Sequence, residues 1–203
     1  LFSGMQVACA ANISGVVFED TNRNRKLDPG ERGVPGVIVS NQQETVTTNR
    51  RGRYRLPVLD LLVASGQQSV TIAPEAGSER LRRHLGKKLT DERIVEFAAD
   101  AVGRGLTDVR MYFMIGLPTE EPGDVDAIAD RVESVRDAAV RARPEGAGAV
   151  TVSVNASVFA PKPGTPLAGA ETPSAREVRS RLERLRSRLG PIDGVAFRMP
   201  SLD

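Results

Sequence analysis

At 203 residues the chain is long enough for one medium domain or two small ones, and its 40% apolar, 27% charged composition is that of an ordinary globular protein. A formal net charge of +2, 4% aromatic residues and no Trp supply neither the field nor the stacking platform that nucleic-acid binding uses. No apolar run nears the roughly 18–20 residues of a membrane span, and the one cysteine, Cys9, excludes an internal disulfide framework.

The sequence starts at Leu1 rather than Met and reads as a piece of something longer. Leu1 to Ala11 admits three readings. Ala8-Cys9-Ala10 has the small-x-small pattern of a signal-peptide cleavage site. Val7-Ala8-Cys9 is a partial lipoprotein-type context, with Gln6 where an apolar residue is expected. The third is a short frayed terminus. Residues 1–12 are expected to stand outside the folded part.

From Ile13 to Val58 the pattern is short and β-like. Val16-Val17-Phe18, Val37-Ile38-Val39 and Thr45-Val46-Thr47-Thr48 are β-branched runs separated by Gly, Pro, Asn and Asp. Asn49-Arg50-Arg51-Gly52 is a turn, and Arg53-Tyr54-Arg55-Leu56 alternates like a half-buried strand. Three or four such strands do not close a sandwich unaided, so residues 13–60 are expected to form a truncated, sandwich-like all-β module.

The period changes after Leu61. Ser69-Val70-Thr71-Ile72 predicts a strand and Ser78 to Leu85 a short helix. Thr90 predicts the cap of a helix over Asp91–Gly103 with Ile94, Phe97, Ala98 and Ala101 on one face. Val109–Ile115 is a nearly continuous apolar run, as in a strand buried on both faces. Asp124–Arg141 steps by three and four through Val125, Ile128, Val132, Val135 and Ala139. Val150–Val154 is the next strand. Thr172 with Pro173 predicts the start of a helix on Val178, Leu182, Leu185 and Leu189, ending at Gly190-Pro191, and Val195–Arg198 starts a further strand. Alternating strand and helix implies parallel βαβ units. The expected fold is α/β, a partial (βα) barrel of about three units over 61–203 behind the β module.

The segment from Asp20 to Glu31 spaces oxygen side chains like a twelve-residue calcium loop. Asp20, Asn22, Asn24, Asp28 and Glu31 fall at positions 1, 3, 5, 9 and 12, and the Lys26 carbonyl at 7. Arg25 stands where a glycine normally permits the sharp turn, and Arg23, Arg25 and Lys26 add charge that weakens a divalent ion. A solvated turn whose Asn and Asp bond their own backbone is the alternative.

With Gly15–Asp20, Gly33-Val34-Pro35-Gly36-Val37 and Thr48–Pro57 in this order, residues 13–58 resemble the calcium-binding B-type repeats of Gram-positive surface adhesins. They are more similar still to the β-rich N-terminal module of secreted calcineurin-like metallophosphoesterases, where a segment like Val39-Ser40-Asn41 recurs. Asn49 replaces the usual Asp. The phosphoesterase's catalytic motifs do not follow, and His84 is the one histidine, so that two-metal activity is excluded.

In the second regime each strand is followed by a loop richer in special residues than connection needs: Ala73–Arg82, Gly116–Glu121 and Asn155–Pro166. Loops at the carboxyl ends of parallel strands are where α/β folds hold ligands. Gly77 and Gly116 let backbone approach a ligand, and Glu75 offers an acceptor for an ammonium or a ribose hydroxyl. Turns plus helix caps are the alternative.

Ala73-Pro74-Glu75-Ala76-Gly77-Ser78-Glu79-Arg80-Leu81-Arg82, Met111-Tyr112-Phe113-Met114-Ile115-Gly116-Leu117-Pro118-Thr119-Glu120, and Val152–Asn155 with Phe159–Pro166 resemble radical S-adenosylmethionine enzymes, particularly the family that also carries a cobalamin-binding domain. The resemblance runs from about Val63 to Asp203 and corresponds to the fourth, fifth and sixth barrel strands. It implies S-adenosylmethionine as small-molecule cofactor. Glu75 and Ser78 would hold its methionine and ribose parts, with Gly77 and Arg80 in the same loop. Gly116, Pro118 and Glu120 would lie near the adenine, and Lys162 would face the substrate side.

That family's four-iron, four-sulfur cluster sits on a Cys-x-x-x-Cys-x-x-Cys loop after the first barrel strand, and such clusters need several thiolates. With Cys9 alone, the chain is expected to be a fragment that cannot start reductive cleavage, and no catalytic residue is assigned. The alternative is a secreted calcium-binding module with a passenger segment. The enzyme reading implies a cytoplasmic location, the module an extracellular or periplasmic one, and the pairing of the two is most simply a fusion, an assembly product or a deliberate construction. An open half-barrel edge predicts self-association. A metal role for His84 lacks partners, and the arginines between Arg176 and Arg188 are expected on a solvated helix face, with nucleic-acid contact the minor reading.

Overall fold

The computed structural model describes residues 12–24, 26–40 and 45–200. Cys9, Arg25 and Asn41 lie outside them. The described residues fall into two compact units, divided in the sequence between Gly66 and Gln67.

The first unit contains β1 (Asn12–Val16), β2 (Ile38–Ser40), β3 (Thr45–Thr47), β4 (Arg53–Pro57) and α1 (Val58–Ala64). β1 pairs antiparallel with β4, from Asn12 opposite Pro57 to Val16 opposite Arg53, and β2 pairs antiparallel with β3. β1 therefore ends at Val16 instead of running through Phe18. Val17 leaves the ladder to accept Val34 N–H at 2.8 Å and donate to Gly52 at 2.9 Å. Buried Thr48 holds the middle: its hydroxyl donates to Val34 O at 2.7 Å and accepts Val37 N–H at 2.9 Å. α1 falls where the sequence shows only a change of regime, because Val58-Leu59-Asp60-Leu61-Leu62-Val63 is apolar without helical spacing.

The second unit runs β5 (Ser69–Glu75), α2 (Glu79–His84), α3 (Asp91–Gly103), β6 (Asp108–Ile115), α4 (Pro122–Ala142), β7 (Thr151–Val158), α5 (Ala175–Leu189) and β8 (Val195–Arg198). The four strands form one parallel sheet in chain order. Right-handed crossovers in a singly wound sheet place every helix on the same face. Val70 and Ile72, then Val109, Met111, Phe113 and Ile115, then Val152, Val154 and Ala156 are buried. They back onto Ile94, Phe97, Ala98 and Ala101 of α3, Val125, Ile128, Val132, Val135 and Ala139 of α4, and Val178, Leu182, Leu185 and Leu189 of α5.

Three expectations are corrected here. β6 is buried on one face only: Arg110 and Tyr112 are exposed between its buried residues, because this unit's helices cover a single face. α4 starts at Pro122, with Glu121 and Asp124 forming a reciprocal capping box, so Asp124 is a cap partner in the first turn and not the start of the helix. α5 is capped by Ser174, whose backbone N–H reaches Glu177 Oε2 at 2.8 Å; Pro173 stands outside the helix. The α5 arginines are not merely solvated either. Arg184 grips Asp126 of α4 with two 2.6 Å bonds, and Arg188 bonds Asp130 at 2.7 Å. Among the described residues, no helix is long and apolar enough to cross a membrane.

Candidate functional site

The loops after β5, β6 and β7 leave neighbouring strands at the same sheet edge. In the first, Glu75 takes a left-handed backbone conformation, φ 68°. Lys87 Nζ donates to Glu75 Oε1 at 2.9 Å and to Ala73 O at 2.8 Å, and the Glu75 side chain keeps 23% exposure. Gly77 has no room for a side chain, since a Cβ would collide with Asp124 O and Ile128 N of α4. Its glycine serves the packing of the loop on that helix. Ser78 caps α2, accepting Leu81 N–H at 3.2 Å, and donates to Asp124. Arg80 donates to Asp124 and to Thr119 O at 2.9 Å.

Asp124 is thus a hub, 5% exposed, accepting from Ser78, Arg80 and the Glu121 N–H at 2.8 Å. Burial alone would raise its pKa, but these donors together outweigh burial and hold it below the ordinary carboxylate value. Beneath it, fully buried Arg82 donates to Ala76 O at 3.1 Å, Gly77 O at 2.7 Å and Leu89 O at 2.8 Å, and pairs with Asp91, which also meets Arg131 of α4.

In the second loop Gly116 has φ +85°, where only glycine sits without strain, and a Cβ there would come within 2.9 Å of Pro173 Cγ. Its N–H donates to Glu120 Oε2 at 2.8 Å, and Arg181 of α5 donates to the same oxygen at 2.7 Å. The Glu120 side chain is 2% exposed, and burial is the main reason its pKa is raised despite both donors. Gly116 and Glu120 therefore build the loop, the Gly116 N–H and Arg181 both engaged with the Glu120 carboxylate. Pro118 is half-buried in the same loop. In the third loop Lys162 is exposed and lines a groove with His84, Leu85, Gly86 and Met114.

Asp124, Lys87, Arg82 and Arg181 were not read as site residues from the sequence. Glu121 and Asp124 have the spacing of a capping pair. Nothing local marks Arg82 as buried or Arg181 as the partner of Glu120.

In the other unit the residues of the acidic loop interlock. Asp28 Oδ2 accepts from Asn22 Nδ2 at 2.7 Å and Asn24 Nδ2 at 2.6 Å, and Asp20 Oδ1 accepts Asn24 N–H at 3.1 Å. Asn24 Oδ1 accepts Lys26 N–H at 2.7 Å. Glu31 spends both oxygens inside the loop, on Thr21 N–H at 2.9 Å and on Asp28 N–H at 3.0 Å, where a bidentate ion ligand was expected. Among the described residues no group of three or more His, Cys, Asp or Glu is placed to hold a metal ion.

No known family profile matches the chain. An uncharacterized protein of Methanocaldococcus jannaschii is 34% identical over 106 residues, 52% of this chain and 22% of that protein. Among solved structures, coproporphyrinogen III oxidase (HemN) from Escherichia coli, described as a radical SAM enzyme, superposes with a TM-score of 0.48 at 20% identity, over 66% of this chain and 29% of that one. The chain spans less than a third of the length of either protein.

Proposed function

We propose that residues 67–200 are consecutive βα units of a radical S-adenosylmethionine enzyme, and that the loop edge of β5, β6 and β7 is one wall of its S-adenosylmethionine pocket. One observation carries this reading. The three segments that resemble the family's fourth, fifth and sixth strand motifs leave three adjacent parallel strands, in that order, at one edge. The likeness of Met111–Glu120 to the cobalamin-carrying branch rests on sequence alone.

The residues divide in their fit to the cofactor. Glu75 fits: Lys87 occupies only its Oε1, and its exposure leaves it able to accept from an ammonium or a ribose hydroxyl. Lys162 fits as an exposed cation at the same edge. Gly77, Ser78, Arg80, Gly116 and Glu120 are occupied in holding the loops, and they act as framework. In the family, bound S-adenosylmethionine is cleaved reductively with an electron from an iron–sulfur cluster. The cluster does not fit this segment, which has no cysteine, Cys9 being the one cysteine of the chain, and no step through it is assigned to these residues. This function goes with a cytoplasmic location.

Titration with S-adenosylhomocysteine tests the reading by calorimetry. Saturable binding weakened at least tenfold by Glu75→Gln is expected. Absence of binding at millimolar concentration, in a chain whose folding is confirmed by circular dichroism, would sink it.

A second reading concerns residues 13–58 alone: a calcium-binding module acting outside the cell or in the periplasm. It is favoured by the convergence of Asn22, Asn24 and Asp28 on one another. Calcium would have to draw Glu31 off the Thr21 and Asp28 amides. A rise in melting temperature at millimolar Ca²⁺, abolished by Asp28→Asn, is the expected result; no shift would remove this reading.

A further inference from the structure

The groove at Lys162 has a chemistry of its own. It has a volume of about 710 Å³, within the range of small-molecule sites. Leu85, Met114 and Phe159 line it and also pack on the buried cluster of Ala76, Leu81 and Leu117, so its apolar surface continues the core. Val158, 38% exposed, adds to that surface. Its two ionisable lining groups are Lys162 and His84, and no carboxylate lines it. The other exposed cations of this unit that face acidic neighbours are spent on them, as Arg80 on Asp124 and Arg184 on Asp126. Among the described residues Lys162 has no ion-pair partner.

We infer that this groove binds a small molecule with an apolar body and a terminal carboxylate. The apolar lining takes the body, Lys162 pairs with the carboxylate, and His84 stands on the same groove as a second donor. A carboxylate on an unspent ammonium gains a charge-assisted hydrogen bond that a neutral isostere lacks. No carboxylate lines the groove to pair with a cationic ligand. The binding stands on the groove alone; only its assignment as the substrate's place rests on the pocket proposed above.

The test uses the whole chain and three probes of one shape: naphthalene-1-acetate, its primary amide, and 1-naphthylmethylammonium. Binding is followed by the methyl resonances of Met114 and Val158. The expected order has the carboxylate at least tenfold tighter than the amide and the ammonium weaker than either. Lys162→Met should erase the difference between carboxylate and amide while leaving amide binding in place, and Lys162→Glu should reverse it. Lys162 is exposed, so neither variant threatens folding. Equal binding of carboxylate and amide, indifference to both substitutions, or shifts at Tyr112 and Arg198 in place of Met114 would overturn the inference. Loss of S-adenosylhomocysteine binding with retained probe binding would count against the enzyme reading only.

Discussion

Arg181 of α5 donates to Glu120 at 2.7 Å, fastening the loop after β6 to a helix 61 positions further along the chain. The same Glu120 oxygen accepts the Gly116 N–H, so one buried carboxylate fixes both ends of a five-residue loop. Replacing Arg181 with Met leaves that carboxylate buried with one donor. Such a loss costs about 2–4 kcal/mol when the group is ionised. The Glu120 pKa is raised, chiefly by burial, so the folded state holds its proton more tightly than the unfolded chain. Its contribution is therefore fully present below the unfolded value and is lost as pH rises through the folded value. Urea unfolding should show Arg181→Met costing more at pH 7 than at pH 4.5, and a pH-independent cost would contradict the pairing.

Asp124 has the opposite sign. Its donors hold it low, so its contribution is present above the ordinary carboxylate pKa and is lost as pH falls through the folded value. Asp124→Ala removes the acceptor for Ser78, Arg80 and Glu121 N–H together. A loss of about 2–3 kcal/mol at neutral pH is expected, shrinking towards pH 2. Amide exchange at 119–121 should accelerate in the variant; unchanged exchange there would show that Asp124 does not join the two loops.

The sequence makes the second unit's elements legible because its helices carry clean three-and-four spacing, and Thr90 accepts a helix amide as its position suggests. The loops were legible as special, but the residues that hold them were not. Gly77 and Gly116 are each constrained by distant residues, Gly77 by Asp124 and Ile128 and Gly116 by Pro173, none of them near in the chain. Glu120 reads as an open carboxylate until Arg181 arrives from α5. Long-range partners leave no local trace, and Arg110 and Tyr112 likewise look buried until the crossovers are seen to cover one face. In the first unit, α1 was hidden by an apolar run without period.

Gly77 gives a direct measure of how closely the β5 loop rides on α4. Any Cβ meets backbone atoms of Asp124 and Ile128, which cannot rotate away as a side chain can. Gly77→Ala should cost about 1–3 kcal/mol by overpacking. Because the shift moves Ser78 off Asp124, Gly77→Ala and Asp124→Ala should be non-additive. A simple sum of the two would show that the loop relaxes without disturbing the hub.

Arg82 is the least replaceable residue at the site. No atom of it reaches solvent, and its guanidinium serves three carbonyls, Ala76, Gly77 and Leu89, besides the Asp91 carboxylate. Ala76 and Gly77 immediately follow Glu75 in the β5 loop, so Arg82 sets the path of the chain at the proposed cofactor wall. Met fills the volume but donates nothing, stranding the carbonyls while Asp91 keeps only Arg131. A loss of about 3–5 kcal/mol is expected for Arg82→Met. Lysine retains the charge, but a point ammonium cannot reproduce a planar fork spread over four acceptors. Arg82→Lys should therefore recover less than half of the loss in urea unfolding. Full recovery by lysine would show that charge alone, and not the geometry of the fork, holds the loop.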